Sequence, residues 1–298
     1  MSVSAAASTS LRPALPDYLA RPEFAQLVVL LRHAPRGAFV FALYNAVPAR
    51  EGVVAALREL VAPIPVFEYT LHRGRRNPLE YLERMPPDLR QQPAVVFIYD
   101  VERLEPGEPE AAWAYLDTQR ENLSAYPHCL VFWVTEQGAR AAALHAPNTW
   151  SQRSGVFDFT VAAQPVVSQL RAAAADQPVR VDSVDDLDRL TRLYLGLLEE
   201  YQADEEVAPA LLADLHDKAA YLLYRGDRYA ESREHAEAER RIGEALNDQR
   251  LRARALYRLG DVHVGLSELP EARARYEEAL PLYRAIGDRL GEANCIQR

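Results

Sequence analysis

The chain has 298 residues, 49% apolar and 26% charged, which is ordinary globular composition and long enough for two domains. With 34 basic residues against 43 acidic ones the net charge is −9, and neither residues 1–165 (net −2) nor 166–298 (net −7) has the basic excess a phosphate-tracking surface needs, which argues against nucleic acid as a partner. Lys218 is the sole lysine, so Schiff-base, lysine general-base and lysine phosphate-clamp chemistry would all have to sit there, and two cysteines, Cys129 and Cys295, are too few for a disulfide framework and suit a reducing cytoplasm.

Residues 1–20 lack both a basic n-region and an apolar h-region and read as a disordered leader rather than a secretory signal. No apolar run approaches the length of a membrane span. The spacing of Phe24, Leu27, Val28, Leu30 and Leu31 predicts a helix that ends before Pro35 and Gly37. Five short runs rich in Val, Phe, Ile or Tyr follow, at Phe39–Tyr44, Pro65–Leu71, Ala94–Asp100, Cys129–Thr135 and Val156–Val161. Each is apolar on both faces, as strands of a covered parallel sheet are. Helix-compatible stretches at Glu51–Val61, Pro109–Ser124 and Glu136–Leu144 lie between them. Strand, helix and strand in alternation imply right-handed crossovers and a doubly wound, parallel, five-stranded sheet in an α/β domain over residues 21–165.

Residues 166–185 read as a linker, and from 186 to 298 nearly everything is helix former with 3.6-residue patterning, including Leu187, Leu190, Tyr194, Leu197 and Leu198. Residues 248–258 and 288–298 align at a period of 40, the signature of an all-α solenoid. Between them Leu256, Leu259, Gly260, His263, Ala272, Tyr276, Ala279 and Leu280 resemble one tetratricopeptide repeat. The usual fourth-position aromatic is replaced by Leu256 and the usual late proline is missing. Ala220 and Ser232 hold the small positions of the unit before it. Because the copy ending at Arg258 continues straight into Leu259 and Gly260, a chain ending at Arg298 is expected to be part of a longer array.

The loop Asn45–Gly52 after the first strand invites a test for a phosphate-binding P-loop, which needs glycines, a lysine and a Ser or Thr. This loop has Pro48, and Arg50 with Glu51 stand where lysine and hydroxyl belong. Val95–Asp100 has the shape of a Walker B segment that would set Asp100 beside magnesium. The preferred reading of Asp100 is a residue capping the turn after its strand.

In strand order and spacing this half looks like the degenerate P-loop domains of the inactive STAND type, which precede tetratricopeptide arrays in bacterial conflict and signalling proteins. Leu116–Glu121, which includes Gln119, is similar to that group's Leu-Asn-x-x-Arg-Glu helix, with Asp117 in place of Asn and with Arg120 and Glu121 matching. Leu130–Val134 is similar to its Val-Phe-Trp strand. Ala146–Phe159, including Trp150 and Arg153, is similar to its Ala-Pro-Asp-x-Trp-Ser-x-Arg-Ser-Gly-Val-Phe segment. The resemblance implies a vestigial nucleotide site at Arg50, Glu51 and Asp100, with no catalytic residue, no cofactor and no metal. It also implies a protein partner and regulation of an effector in a prokaryotic defence or signalling system. Trp150 and Arg153 read either as a vestigial sensor or, preferably, as an Arg stacked on an aromatic and paired with Glu121 or Asp100. By repeat register Arg254, Tyr257 and Asp261 are expected to line the partner groove. The cluster His72–Arg76 would lie at the carboxyl edge of the sheet and reads as a solvated loop. His128 beside Cys129 would point to opposite faces of the strand, which argues against a thiol dyad. The competing reading is an ATP- or ADP-dependent switch that uses Arg50 for phosphates and Asp100 for magnesium. Self-association of the chain is compatible with either.

Overall fold

The computed structural model describes residues 20–33, 37–72, 77–104, 108–161, 171–172, 174–175, 179–202 and 207–298. Nearly all of the expected leader, much of the expected linker, and residues 73–76 of the basic cluster lie outside the described residues. The chain divides into two compact units, Met1–Ala174 and Ala175–Arg298. No helix among the described residues is long and apolar enough to cross a membrane.

In the first unit α1 (Pro22–His33) precedes β1 (Phe39–Leu43), and α2 (Val47–Val61) leads to β2 (Val66–Thr70). Two short helices, α3 (Pro78–Arg84) and α4 (Pro87–Gln91), precede β3 (Val95–Tyr99). Then come α5 (Glu108–Thr118), α6 (Arg120–Ser124), β4 (Cys129–Val134), α7 (Glu136–His145), α8 (Pro147–Ser151) and β5 (Gly155–Asp158). The strands form one sheet in the order β2-β3-β4-β1-β5, and every pairing is parallel. From β1 the chain travels to the far edge in one direction, and each later crossover moves back the other way. Right-handed connections therefore place α2 on one face and the helices after β2 on the opposite face. This is a doubly wound, parallel α/β sheet.

The two-residue period of the strands divides the core accordingly. Phe39, Phe41, Val96, Ile98, Leu130, Phe132 and Val134 pack with Leu79, Leu82, Trp113, Leu116, Ala139 and Ala142 on one face. The alternate residues look toward α1 and α2, where Phe97, Trp133, Phe159 and Phe24 form a chain of aromatic contacts. Each fully buried Phe or Val contributes about 1.5–3 kcal/mol, so this double-sided burial is the main support of the unit. The expectation of strands covered on both faces holds for β1, β3 and β4, which are buried almost throughout. It fails at the edges: β2 is mostly half-buried, and Val156 in β5 is exposed, because an edge strand has a neighbour on one side only.

Among the described residues of the second unit the helices run in order: α9 (Val184–Gln202), α10 (Pro209–Arg225), α11 (Tyr229–Ala245), α12 (Gln249–Gly265), α13 (Leu269–Ile286) and α14 (Arg289–Gln297). Ser183 starts α9 by accepting the Asp186 N–H at 3.0 Å. The helices after α10 are joined by one kind of turn. Asp227, Asn247, Ser267 and Gly287 all adopt a left-handed φ between 52° and 71°. The next residue's N–H returns to a carbonyl five residues back in each case: Arg228 to Leu223, Asp248 to Gly243, Glu268 to His263 and Asp288 to Tyr283. These turns lie 20 residues apart, so the 40-residue period in the sequence is two equal helix-plus-turn halves.

Small residues set the helix spacing. A Cβ on Gly260 would lie 2.3 Å from the Tyr276 ring, and one on Gly291 the same distance from Tyr283. Tyr276 thus fills the gap between α12 and α13. Leu259 instead reaches back to Ala220 and Ala236 of the preceding unit. Ser232 is buried and donates to the Ala220 carbonyl at 2.7 Å, joining α10 to α11. The Nδ1 atoms of His216 and His235 also meet across that pair, at 2.9 Å.

Candidate functional site

The segment Asn45–Gly52, which fails the sequence requirements of a phosphate loop, is mostly helix. β1 ends at Leu43 and α2 already begins at Val47, so only Tyr44, Asn45 and Ala46 connect them. Asn45 is tied to Val161 by two hydrogen bonds, its amide donating at 2.9 Å and its oxygen accepting at 2.8 Å. The helix starts four residues earlier than the apolar periodicity suggests, because Pro48 is tolerated in a first turn and Ala49 favours helix. Arg50 and Glu51 therefore sit inside α2, with no run of free backbone N–H groups to cradle phosphate.

Arg50 is fully buried. Its guanidinium lies over the Tyr44 ring at 4.7 Å and the Tyr99 ring at 5.0 Å. Two of its nitrogens donate to Glu51 Oε1, at 3.2 and 3.0 Å, and Nη1 stands 3.6 Å from Asp100 Oδ1. Burial alone would weaken its protonation, but the surrounding tyrosines and carboxylates outweigh that and hold the charge more firmly than usual. The structure thus brings the three expected residues of the nucleotide site together as an ion-paired cluster, in which Arg50 hydrogen-bonds Glu51 and faces Asp100 at ion-pair distance while its Nη1 makes no hydrogen bond among the described residues. The preferred reading of Asp100 as a turn cap is corrected: it begins a short 3-10 turn with φ 63° and makes no side-chain capping bond. Its carboxylate instead pairs with Arg50.

The residues of the two sequence segments Leu116–Glu121 and Ala146–Phe159 lie at the opposite, amino edge of the sheet. Gln119, Arg120 and Glu121 precede β4, and Trp150 and Arg153 precede β5, where Ser154 N–H donates to the Phe39 carbonyl. Asp117 clasps the two segments, accepting from Thr149 N at 2.7 Å, Thr149 Oγ1 at 3.0 Å and Asn148 Nδ2 at 2.8 Å. Burial pushes its carboxyl up, but these hydrogen bonds outweigh it and leave the group below its usual range. Gln119 breaks the expected single helix Pro109–Ser124 into α5 and α6, and its side chain accepts from Asn122. Trp150 packs on Phe41 at 4.8 Å, and Arg153 stacks over Trp150 at 4.5 Å while donating to its carbonyl. The stacking expected for Arg153 is present. The proposed acids do not join it: Glu121 pairs with Arg120, and Asp100 is on the far edge with Arg50.

One contact at the carboxyl edge has no clear motif. Glu102, just past β3, accepts from Thr135 N at 2.8 Å and Thr135 Oγ1 at 2.9 Å, and Thr135 Oγ1 in turn caps α7 by accepting from Gly138 N. A Cβ on Gly138 would lie 1.6 Å from Glu102 Oε2. The Thr-x-x-Gly spacing at a strand-to-helix junction was the only signal for it. Cys129 is buried, which pushes its thiol up to about 12, and His128 stacks with Tyr126. They form no reactive dyad.

In the second unit charged residues on α10 and α12, with Arg298 just after α14, form a chain of alternating sign. Lys218 pairs with Asp214 (3.1 Å), Asp214 with Arg254 (3.0 Å), Arg254 with Asp217 (3.5 Å) and Asp217 with Arg258 (3.1 Å). Arg258 then pairs with Asp261 (3.6 Å) and Asp261 with Arg298 (3.4 Å). Glu239 of α11 branches from it, accepting from Arg254 Nε at 2.6 Å. Of the expected groove residues, Arg254 and Tyr257 are half-buried on this face. Asp261 is corrected: it is buried, accepts from Tyr276 Oη at 2.9 Å and does not project into a groove. Paired antiparallel helices of equal length, a Gly-to-Tyr contact between them and a 40-residue period are now all in place. Residues 211–285 match the family model of the tetratricopeptide repeat. The match begins in α10 and ends in α13, so it covers both complete tetratricopeptide pairs. Among solved structures, the Thermotoga maritima RuvB Holliday junction branch migration motor is similar at 11% identity, over 70% of this chain and 72% of that one, with a TM-score of 0.31. No curated protein matches the chain.

Proposed function

We propose that this protein is a non-catalytic adaptor whose tetratricopeptide repeats dock a protein partner, while its α/β unit keeps a P-loop-type sheet without nucleotide chemistry. The observation that carries the second half is the Arg50 cluster. A guanidinium held between Tyr44 and Tyr99 and paired with Glu51 and Asp100 occupies the position after β1 where a phosphate would lie. A three-residue connection leaves no cradle beside it, and a triphosphate would have to approach two carboxylates. The resemblance of the Leu116–Glu121 and Ala146–Phe159 segments to inactive STAND-type domains supports a role in controlling an effector of a prokaryotic defence or signalling system. Two buried free cysteines suit a cytoplasmic setting.

Titrating labelled ATP and ADP with magnesium into the purified protein tests the reading. The expected result is no saturable binding at millimolar nucleotide. Saturable binding that is lost in Arg50→Ala and Asp100→Ala would instead establish a nucleotide-dependent switch. For the docking half, a tagged chain should co-purify with a specific protein from its source cells, and Arg254→Glu with Tyr257→Ala should abolish that capture.

A further inference from the structure

We propose that the repeats dock a basic amphipathic segment of a protein partner along one turn edge, built from the start of α9, the α10–α11 turn and the α12–α13 turn. Antiparallel helices bring these three places to the same end of the unit, and contacts join them. A Cβ on Gly226 would lie 3.8 Å from Leu187 Cδ2, the Tyr224 and Tyr229 rings are 5.7 Å apart, and a Cβ on Gly265 would lie 2.4 Å from the Tyr229 ring. Val184 stands one turn before Leu187, and Leu266 and Leu269 flank the turn that follows Gly265. Val184 is 75% exposed, Leu269 64% and Leu266 37%, with Leu187, Tyr224 and Tyr229 half-buried between them. A single exposed leucine is ordinary on a protein surface, but apolar side chains joined across three turns mark a contact surface.

Charge decides the occupant. Residues 180–189, 225–231 and 263–271, which make this edge, carry eight acids against four arginines. Three of those arginines already face an acid of their own segment: Arg180 lies 3.7 Å from Asp182, Arg189 3.3 Å from Asp186 and Arg228 2.6 Å from Glu231. The fourth, Arg225, lies back along α10 and donates to Tyr221 Oη at 2.8 Å. Asp185, Asp227 and Glu271 stay exposed beside the apolar side chains. At the other end, the turns after α11 and α13 expose Leu246 and Leu290, but residues 244–252 and 284–292 balance four acids with four arginines. The acidic run 199–206 has no exposed large apolar side chain among its described residues. Acid and exposed apolar surface thus coincide at this edge, the complement of a helix with leucines on one face and lysines or arginines beside them. The same charge repels nucleic acid and anionic lipid.

The proposal rests on reading the repeats as a docking module but uses none of the Arg254–Tyr257 face. The test is fluorescence anisotropy on the full chain with a labelled 18-residue peptide that sets leucines on one helical face and lysines on the other. Its scrambled-order and Glu-for-Lys counterparts are measured beside it, and co-sedimentation is run with vesicles of anionic phospholipid. The ordered Lys peptide should bind at least tenfold more tightly than either counterpart, and the vesicles should not bind. Leu266→Ser with Leu269→Ser, and separately Asp185→Lys with Glu271→Lys, should each weaken the peptide at least tenfold while the helical circular dichroism is unchanged. Glu244→Lys with Glu292→Lys makes the same charge change at the opposite end and should leave binding within twofold. Equal binding of the scrambled peptide, no loss in the leucine variant, an equal loss in the Glu244 and Glu292 variant, or binding to vesicles overturns the proposal. If the peptide does not bind while co-purification still depends on Arg254 and Tyr257, the edge assignment falls and the groove reading stands. If the peptide binds as expected and that dependence is missing, the edge stands and the groove reading falls.

Discussion

Removing the Arg50 guanidinium would leave Glu51 and Asp100 charged in a buried site between two tyrosines. Breaking a buried pair in this way costs about 3–5 kcal/mol, so Arg50→Met should lower the urea midpoint sharply. Adding Glu51→Gln and Asp100→Asn to Arg50→Met should recover part of the loss, because no uncompensated charge then remains. If the triple variant is less stable than the single one, the electrostatic account is wrong. Glu239 offers a pH test. It faces Asp217 on α10 and Arg254 and Arg258 on α12, and burial raises its carboxyl from the ordinary 4.5 to about 8. The folded-state value lies above the unfolded one, so the stability it contributes is complete below pH 4.5 and is lost as the pH rises through 8. Melting temperatures of the wild type should therefore fall between pH 5 and 9 relative to Glu239→Gln, which lacks that titration.

At the scale of elements, the four helix-ending residues are unequal. Gly287 takes its left-handed φ freely, whereas Ser267 at φ 64° carries a Cβ there at a cost of about 1 kcal/mol. Ser267→Gly should accordingly raise the stability of the repeats by about that amount in a denaturant titration, and Gly287→Ala should lower it. Asp117 is the matching case in the first unit: Asp117→Ala removes the acceptor of the Thr149 N–H at the start of α8 and should cost about 1 kcal/mol by the same measurement. Helix and strand identities were readable because β1, β3 and β4 are apolar on both faces and α9 to α14 keep a 3.6-residue stripe. The start of α2 was not readable from periodicity, since its first turn is buried all round and shows no polar side. The break at Gln119 and the short α8 were equally hidden, because each is fixed by long-range partners: Asp117 for α8 and the packing of Leu123 for α6.

For the whole molecule, an apolar cluster in the first unit is centred on Phe41, Phe132 and Trp113, and two in the second unit are centred on Tyr276 and on Leu259. Residues 175–298 expressed alone should keep a helical circular dichroism spectrum and a cooperative melt, and loss of both would show that the repeats depend on the α/β unit. The composition of the candidate site was legible: Arg50, Glu51 and Asp100 were found from strand order and the absence of a lysine. Their mutual pairing was not, because it depends on where α2 begins and on the rings of Tyr44 and Tyr99, over which the guanidinium lies. The three-residue connection after β1 also sets what redesign would require. Building a phosphate cradle beside this strand takes more than a point substitution: the turn must lengthen, Asn45 must detach from Val161, and Arg50 must be replaced without leaving its two carboxylates uncompensated. Each of these changes removes an interaction that holds the first unit together, so a designer would have to make them together.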